Sequence, residues 1–285
     1  MTTLIAWAAI DNRETSAVYM ASDSRISWGD SGVWDSGRKI FASEKFPEIL
    51  GYTGDALFCT QVLGQVMAFV DSCEALAALD DLDKKYDYVQ DLVQRAFKSY
   101  PTNFCLPNFS VLYMTRVEKV WGACTFSWSS SGGWALKQVH RIPLNWTEVQ
   151  QGGQTIEEQT SAVLFVSDGS GGAKFRSFYK NSEWLTRLSL YSRGIFGAFV
   201  DFINSGQDDK TGGKPQIAGL YRTFEAKKIG FTQGEDRFLY GIQLEPSDYG
   251  QNVRWVNATF ENCDSQSGMR TMDAQPQPLP FRRDK

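Results

Sequence analysis

The sequence predicts an α+β fold of antiparallel sheets with helices segregated on their outer faces, and three observations lead to that expectation. Strand-type and helix-type segments come in blocks (strands, two helices, strands, a helical region, strands), where a parallel sheet of βαβ units would alternate them. Apolar residues make up 42% and aromatic residues 14% of the 285, enough to fill one large domain or two small ones. No internal repeat of roughly 20–50 residues is visible, which excludes solenoids and propellers.

Thr3 to Ile10 is an almost unbroken apolar run, and after "DNRETS" the segment Ala17 to Ala21 is apolar again. This reads as a hairpin whose strands are covered on both faces. A second strand pair follows at Lys39 to Ala42 and Ile49 to Thr53, joined through Pro47. Gly54 and Asp55 then open a helix, "ALFCTQVLGQVMAFVDSCEAL", whose apolar residues recur every three or four. A second helix is expected in "YDYVQDLVQRAFKSY", closed by Pro101. Strands return in "FSVLYMTR", "EKVWGACTF", "WALKQVHRI" and "SAVLFVSD". The Gly-rich corner "SDGSGG" leads to a helical region from about Glu183 to Asn204, in which Gly194 and Gly197 argue against one unbroken helix. After "SGQDDKTGGKP" the strands "IAGLYRTF", "AKKIGF", "FLYGIQL" and "VRWVNATF" follow. The tail from Asp264 is polar and Pro-rich and is expected to be loosely ordered.

The composition removes several functions. The formal charge is −4 and the basic residues are scattered, so nothing marks a nucleic-acid or anionic membrane surface. Cys59, Cys73, Cys105, Cys124 and Cys263 are odd in number and contain no C-x-x-C pair, which argues for reduced core thiols and against a disulfide framework or zinc site. The chain opens without a signal-peptide pattern, and no apolar run reaches the about 18 residues of a membrane span, so a cytoplasmic protein with no membrane contact is expected. The one histidine, His140, has no nucleophile or carboxylate close by in sequence, and a structural role is expected for it. "GGAK" and "TGGK" are not Walker loops, and no cofactor or metal is expected.

The start of the chain offers chemistry that needs no histidine. A threonine in second position is small enough for the initiator methionine to be removed. Removal frees the Thr2 α-amine, and with a pKa of roughly 7.7–8.0 that amine can serve as base for the hydroxyl of the same residue. Further motifs extend the pattern. "ASDSR" ends the second strand with Asp23 and Arg25, and Lys39 follows sixteen residues after Asp23. "LGYTGDA" places Gly54 before the first helix, while "SDGSGG" and "DDKTGG" place Ser170, Asp208 and Thr211 on later corners. Singly these read as a surface ion pair, a turn or a helix stop. In this order, over Thr2 to Leu244, they resemble the proteasome β-subunit family of N-terminal nucleophile (Ntn) hydrolases.

The resemblance implies a four-layer αββα sandwich of two antiparallel sheets flanked by helices over residues 1–245. A C-terminal extension, 246–285, would follow, its last part poorly ordered. It implies a threonine-type peptidase in which Thr2, exposed by loss of Met1, is the nucleophile, Lys39 stands beside its hydroxyl and Asp23 orients Lys39. The Gly54 N–H would form the oxyanion hole, and Ser170, Asp208 and Thr211, the last replacing the family's serine, would position the amine. Ile26, Gly37, Tyr52 and Ala56 match the first specificity pocket; none is charged, so an apolar residue is expected before the scissile bond. The implied partners are a polypeptide substrate, further copies of the chain in a homo-oligomer, and an unfoldase or delivery partner. The long first hairpin loop and the segment "SWSSSGGWALKQVHRIPLNWTEVQQGGQT" depart from the family as insertions. An Ntn amidase of a small amide and a noncatalytic scaffold or interaction subunit are the alternatives. Asp23, Lys39 and Asp208 together favour an enzyme.

Overall fold

The structure is a computed structural model and describes residues 2–101, 108–143, 162–185, 191–249 and 253–274. β1 (Leu4–Ile10) and β2 (Thr15–Ser22) form the expected hairpin, with Leu4 opposite Ser22 and Ala9 opposite Ala17. A two-stranded ribbon, β3 (Ile26–Ser27) and β4 (Val33–Trp34), comes next. β5 (Ile40–Ala42) and β6 (Glu48–Gly54) begin a second sheet, which β7 (Phe109–Val117) and β8 (Val120–Ser129) extend. β9 (Gly133–Trp134) and β10 (Gln138–Val139) line the free edge of β8. β11 (Ala162–Asp168) returns to β1, and β12 (Gln216–Tyr221) joins the far side of β2. β13 (Lys227–Gln233), β14 (Asp236–Leu239) and β15 (Ile242–Leu244) continue that sheet, while β16 (Arg254–Val256) and β17 (Asn262–Cys263) add to it beside β13.

The strand orders are β11-β1-β2-β12-β13-β14-β15 and β10-β8-β7-β6-β5. Pairing is antiparallel except between β13 and β16, which run parallel. This corrects the wholly antiparallel expectation: the chain reaches β16 by a crossover, not by a hairpin, and a parallel neighbour needs such a connection.

Both faces of β1 and β2 are covered, as their unbroken apolar runs require. Leu4, Ala6, Val18 and Met20 meet Ile40, Ile49, Leu112 and Met114 of the second sheet in one cluster. Ile5, Trp7, Tyr19 and Ala21 point the other way and meet helical residues such as Phe175, Phe196 and Phe199. The outer face of the second sheet (Leu50, Tyr52, Val111, Tyr113, Phe126) packs on α1 (Ala56–Ser72) and α2 (Leu82–Phe97). Both helices begin at aspartate N-caps: Asp55 accepts from Phe58 N (2.7 Å) and Asp81 from Lys84 N (2.9 Å). The fold is thus α+β, with the core lying between the sheets and under the helices.

Several boundaries differ from the sequence reading. α3 (Gly172–Asn181) follows the Gly-rich corner directly, its Phe175 and Tyr179 buried; the glycines at its start mask a short helix. The expected region from Glu183 to Asn204 is a 3-10 turn, Glu183–Leu185, and then α4 (Ser192–Ser205), which continues through both Gly194 and Gly197; residues 186–190 lie outside the described residues. The strand expected in "WALKQVHRI" is only the pieces β9 and β10. That expected in "VRWVNATF" stops at Val256, because Asn257 Oδ1 accepts from the N–H groups of Thr259 and Glu261 and turns the chain. Within the segment after residue 245, Trp255 and Val256 are buried and Phe260 packs against Trp7, Tyr19 and Phe196. Residues 275–285, the expected loose end, and 144–161, which include the second part of the expected insertion, lie outside the described residues.

Cys59, Cys124 and Cys263 are buried free thiols and Cys73 is partly buried, while Cys105 lies outside the described residues. His140 Nε2 sits 2.6 Å from Thr125 Oγ1, and burial lowers its pKa. No helix among the described residues is long and apolar enough to cross a membrane.

Candidate active site

The hairpin register sets the site. β1 and β2 end side by side, so Asp23, the residue after β2, comes against Thr3, the residue before β1, and Asp23 Oδ1 accepts from Thr3 N at 3.0 Å. The same oxygen accepts from Lys39 Nζ at 2.9 Å, and Oδ2 accepts from the N–H groups of Arg25 (3.0 Å) and Gly212 (3.1 Å). A carboxylate with no exposed surface is thereby saturated with donors, which offsets its desolvation. Burial pushes the Lys39 ammonium below its ordinary pKa, while the Asp23 charge and hydrogen bond work the other way. Gln216 of β12 fixes the approach to β5, since its Oε1 accepts from Lys39 N (2.9 Å) and its Nε2 donates to Gly37 O (2.6 Å).

Thr2 is buried and lines a cavity of about 610 Å³ together with Lys39 and Gly54. Gly54 ends β6 immediately before the N-cap of α1, so the cavity lies at the positive end of that helix. Its φ of +97° and the collision a Cβ would make with Asn108 O leave no other residue suited to the position. Met1, whose removal was expected, lies outside the described residues.

Asp208 and Thr211, after α4, approach from the other side. Thr211 Oγ1 donates to Asp208 Oδ2 (2.6 Å) and lies 2.6 Å from Thr3 Oγ1. Lys174 Nζ of α3 reaches Asp208 Oδ1 at 2.7 Å. Burial works to raise the Asp208 carboxyl, and the hydrogen bonds from Lys174 and Thr211 outweigh it, leaving the group below its ordinary value. Ser170 is exposed at the β11–α3 corner. Contact with the chain start there comes from its neighbour, Gly171, whose N–H donates to Thr2 O (3.4 Å) and where a Cβ would collide with Thr3 Oγ1.

Ile26, Tyr52 and Ala56 line the cavity, whereas Gly37 lies behind Ile26, whose side chain fills the space a Cβ would take. The cavity wall also contains charged residues that the sequence reading did not place there. Arg25 is held in a bidentate pair with Asp35 (2.7 and 2.9 Å), Asp55 caps α1, and the Arg38 guanidinium is stacked between the rings of Phe41 and Tyr240. Beside the polar Ser27, Ser36, Thr60 and Gln61, the wall contains Trp28, Trp34, Leu57 and Ile242, each more than half exposed. Sequence reasoning missed these four, and also Thr3, Lys174 and Gln216. The adjacent threonines of "MTT" were the one available signal for Thr3; nothing local marks the others.

No protein-family model matches the chain, and no curated protein does. Among solved structures the chain is similar to Anbu from Hyphomicrobium sp. strain MC1, with TM-score 0.49 and 11% identity over 79% of this chain and 85% of that one. It is likewise similar to Anbu (ancestral beta-subunit) from Yersinia bercovieri, with TM-score 0.47 and 11% identity over 79% and 86%. A helical assembly of the Anbu complex from Pseudomonas aeruginosa gives TM-score 0.46 and 11% identity over 76% and 81%. The reading of the chemistry rests on this chain's own side chains.

Proposed function

We propose that this chain is an Ntn hydrolase of the proteasome β-subunit type, a threonine peptidase with Thr2 as nucleophile. The four-layer αββα arrangement over residues 1–245, release of Met1 and a cytoplasmic, homo-oligomeric state belong to the same proposal. The observation that carries it is Asp23, whose one carboxylate oxygen touches both Thr3 N and Lys39 Nζ and so ties a buried cation to the first residues of the chain.

In this reading the Thr2 hydroxyl attacks a substrate carbonyl and its proton passes to the Thr2 α-amine. Lys39, charged and oriented by Asp23, lowers the proton affinity of both groups. The Gly54 N–H and the positive end of α1 stabilise the oxyanion, a contribution of about 3–4 kcal/mol per donor in related hydrolases. The protonated amine then gives its proton to the leaving amine as the carbon–nitrogen bond breaks. Water attacks the Thr2 ester with the amine again as base, releasing the acid and restoring the hydroxyl. Asp208, Thr211 and the Gly171 N–H position the chain start, in place of the exposed Ser170, and the cavity beside Ile26, Tyr52 and Ala56 receives the acyl side chain.

Intact-mass analysis before and after a β-lactone probe tests this. The expected result is loss of Met1 and a single adduct on Thr2 that Thr2→Ala abolishes, with hydrolysis of short fluorogenic peptides. Retained Met1, or an adduct elsewhere, rejects the proposal.

A further inference from the structure

Two buried carboxylates act on Thr3 from opposite sides. Its N–H donates to Asp23 (3.0 Å), its carbonyl accepts from Ser22 Oγ (3.2 Å) and Asp23 N (3.4 Å), and its hydroxyl meets Thr211 Oγ1 (2.6 Å). All of its polar atoms are engaged, and it has no exposed surface. The direction of the last contact follows from proton counting. A hydroxyl has one proton, and that of Thr211 goes to Asp208 Oδ2, so Thr3 is the donor to Thr211. An ordered line of polar contacts therefore runs Lys174–Asp208–Thr211–Thr3–Asp23–Lys39.

We propose that Thr3 is a positioning residue for the Thr2 nucleophile, holding the single peptide unit through which both carboxylates act on it. The inference rests on the reading of Thr2 as nucleophile. A chain-terminal residue has one covalent anchor, here the peptide to Thr3, and that peptide is gripped at both ends: Thr2 O by Gly171 N and Thr3 N by Asp23. The Thr3 hydroxyl adds a third point that stops the unit from rotating. Displacement of a nucleophile by about 1 Å is enough to lower a rate on the order of a hundredfold. A purely space-filling Thr3 would affect stability and leave the reactivity of Thr2 alone.

Thr3→Val keeps the shape and removes the donor, and Thr3→Ser keeps the donor. The readouts, on the full chain, are the maximal rate at which the β-lactone acylates Thr2, the probe concentration at half-maximal rate, and Tm. Thr3→Val is expected to slow acylation by about tenfold or more, the loss of one well-placed hydrogen bond, with half-saturation unchanged. Thr3→Ser is expected to restore it to within about threefold. Acylation of Thr3→Val at the wild-type rate, or no rescue by Thr3→Ser, overturns this inference while the wild-type Thr2 adduct leaves the parent reading standing. A wild-type chain that keeps Met1 or takes no adduct at Thr2 overturns the parent reading and this with it.

Lys174→Met serves if Thr3→Val does not fold, because the Lys174 side chain is half exposed. The charged groups facing Asp208 are Lys174 from α3 and Lys210 from its own loop. Loss of Lys174 removes a hydrogen bond to Asp208 and is expected to slow acylation of Thr2 by about threefold or more, and an unchanged rate rejects the line of contacts.

Discussion

Lys39 Nζ lies 2.9 Å from Asp23 Oδ1, and neither side chain leaves more than 1% of its surface in water. Such a pair gains little net stability, since desolvation cancels most of the attraction, but removing one partner strands a buried charge. Lys39→Ala is expected to lower unfolding free energy by about 3–5 kcal/mol and to abolish probe labelling of Thr2. Urea unfolding and intact mass measure the two effects. The double variant Asp23→Asn, Lys39→Met removes both charges and is expected to stay inert and less stable than the wild type, because the new amide NH2 faces backbone N–H donors that the carboxylate satisfied. An active double variant would reject the role of the lysine.

Gly54→Ala tests the oxyanion site through the backbone. With φ at +97° and Asn108 O in the way, an added methyl is expected to cost about 1–3 kcal/mol. The displaced N–H is expected to lower turnover on the order of a hundredfold. Unchanged kcat with a lowered Tm would show that Gly54 serves the fold alone.

Trp28 and Trp34 are 58% and 52% exposed on the cavity wall, so their replacement by Ala is expected to leave stability within about 0.5 kcal/mol. For peptides with Phe or Leu before the scissile bond, kcat/KM is expected to fall about tenfold, the value of a lost apolar contact. The charges in the wall are engaged by Asp35, the α1 start and two rings, which leaves the apolar groups to set preference. Fastest cleavage after Arg or Asp would contradict this.

The pH dependence of stability follows from Asp35 and Asp208. The Arg25 hydrogen bond lowers the Asp35 carboxyl, and Asp208 lies below its ordinary value for the reason given above, so both folded pKa values fall beneath the usual 3.8. Each group stabilises the fold fully above that value and loses its contribution as pH falls through the lower folded one. Tm is expected to drop as pH falls below about 4, less steeply in Asp35→Asn. Asp35 is 44% exposed, so solvent screening limits its share. Identical Tm curves for the variant and the wild type would exclude the Arg25–Asp35 pair.

Legibility in the sequence followed the range of the interaction. The hairpin of β1 and β2, the helix α1, the body of α2 and the site of Gly54 were readable, because apolar periodicity, the aspartate before α1 and a strand-ending glycine are local signals, while the start of α2 at Asp81 was not read. α3 was hidden behind its own glycines, and β16 was read as an ordinary strand without its parallel partner, since pairing direction depends on where the crossover leads.

By itself, the sequence determined which residues sit at element ends: Asp23 after one apolar run, Lys39 before another, and Asp208 and Thr211 beyond a helix. Only the tertiary structure decided that Thr3 touches Asp23 and Thr211 at once, that Lys174 reaches Asp208, and that Gln216 holds the approach to Lys39. Thr3 and Thr211 are 208 positions apart, and no local pattern encodes a distance of that kind. Sheet pairing and helix packing create it, because those elements can bury their apolar faces only by bringing their polar ends to the same place.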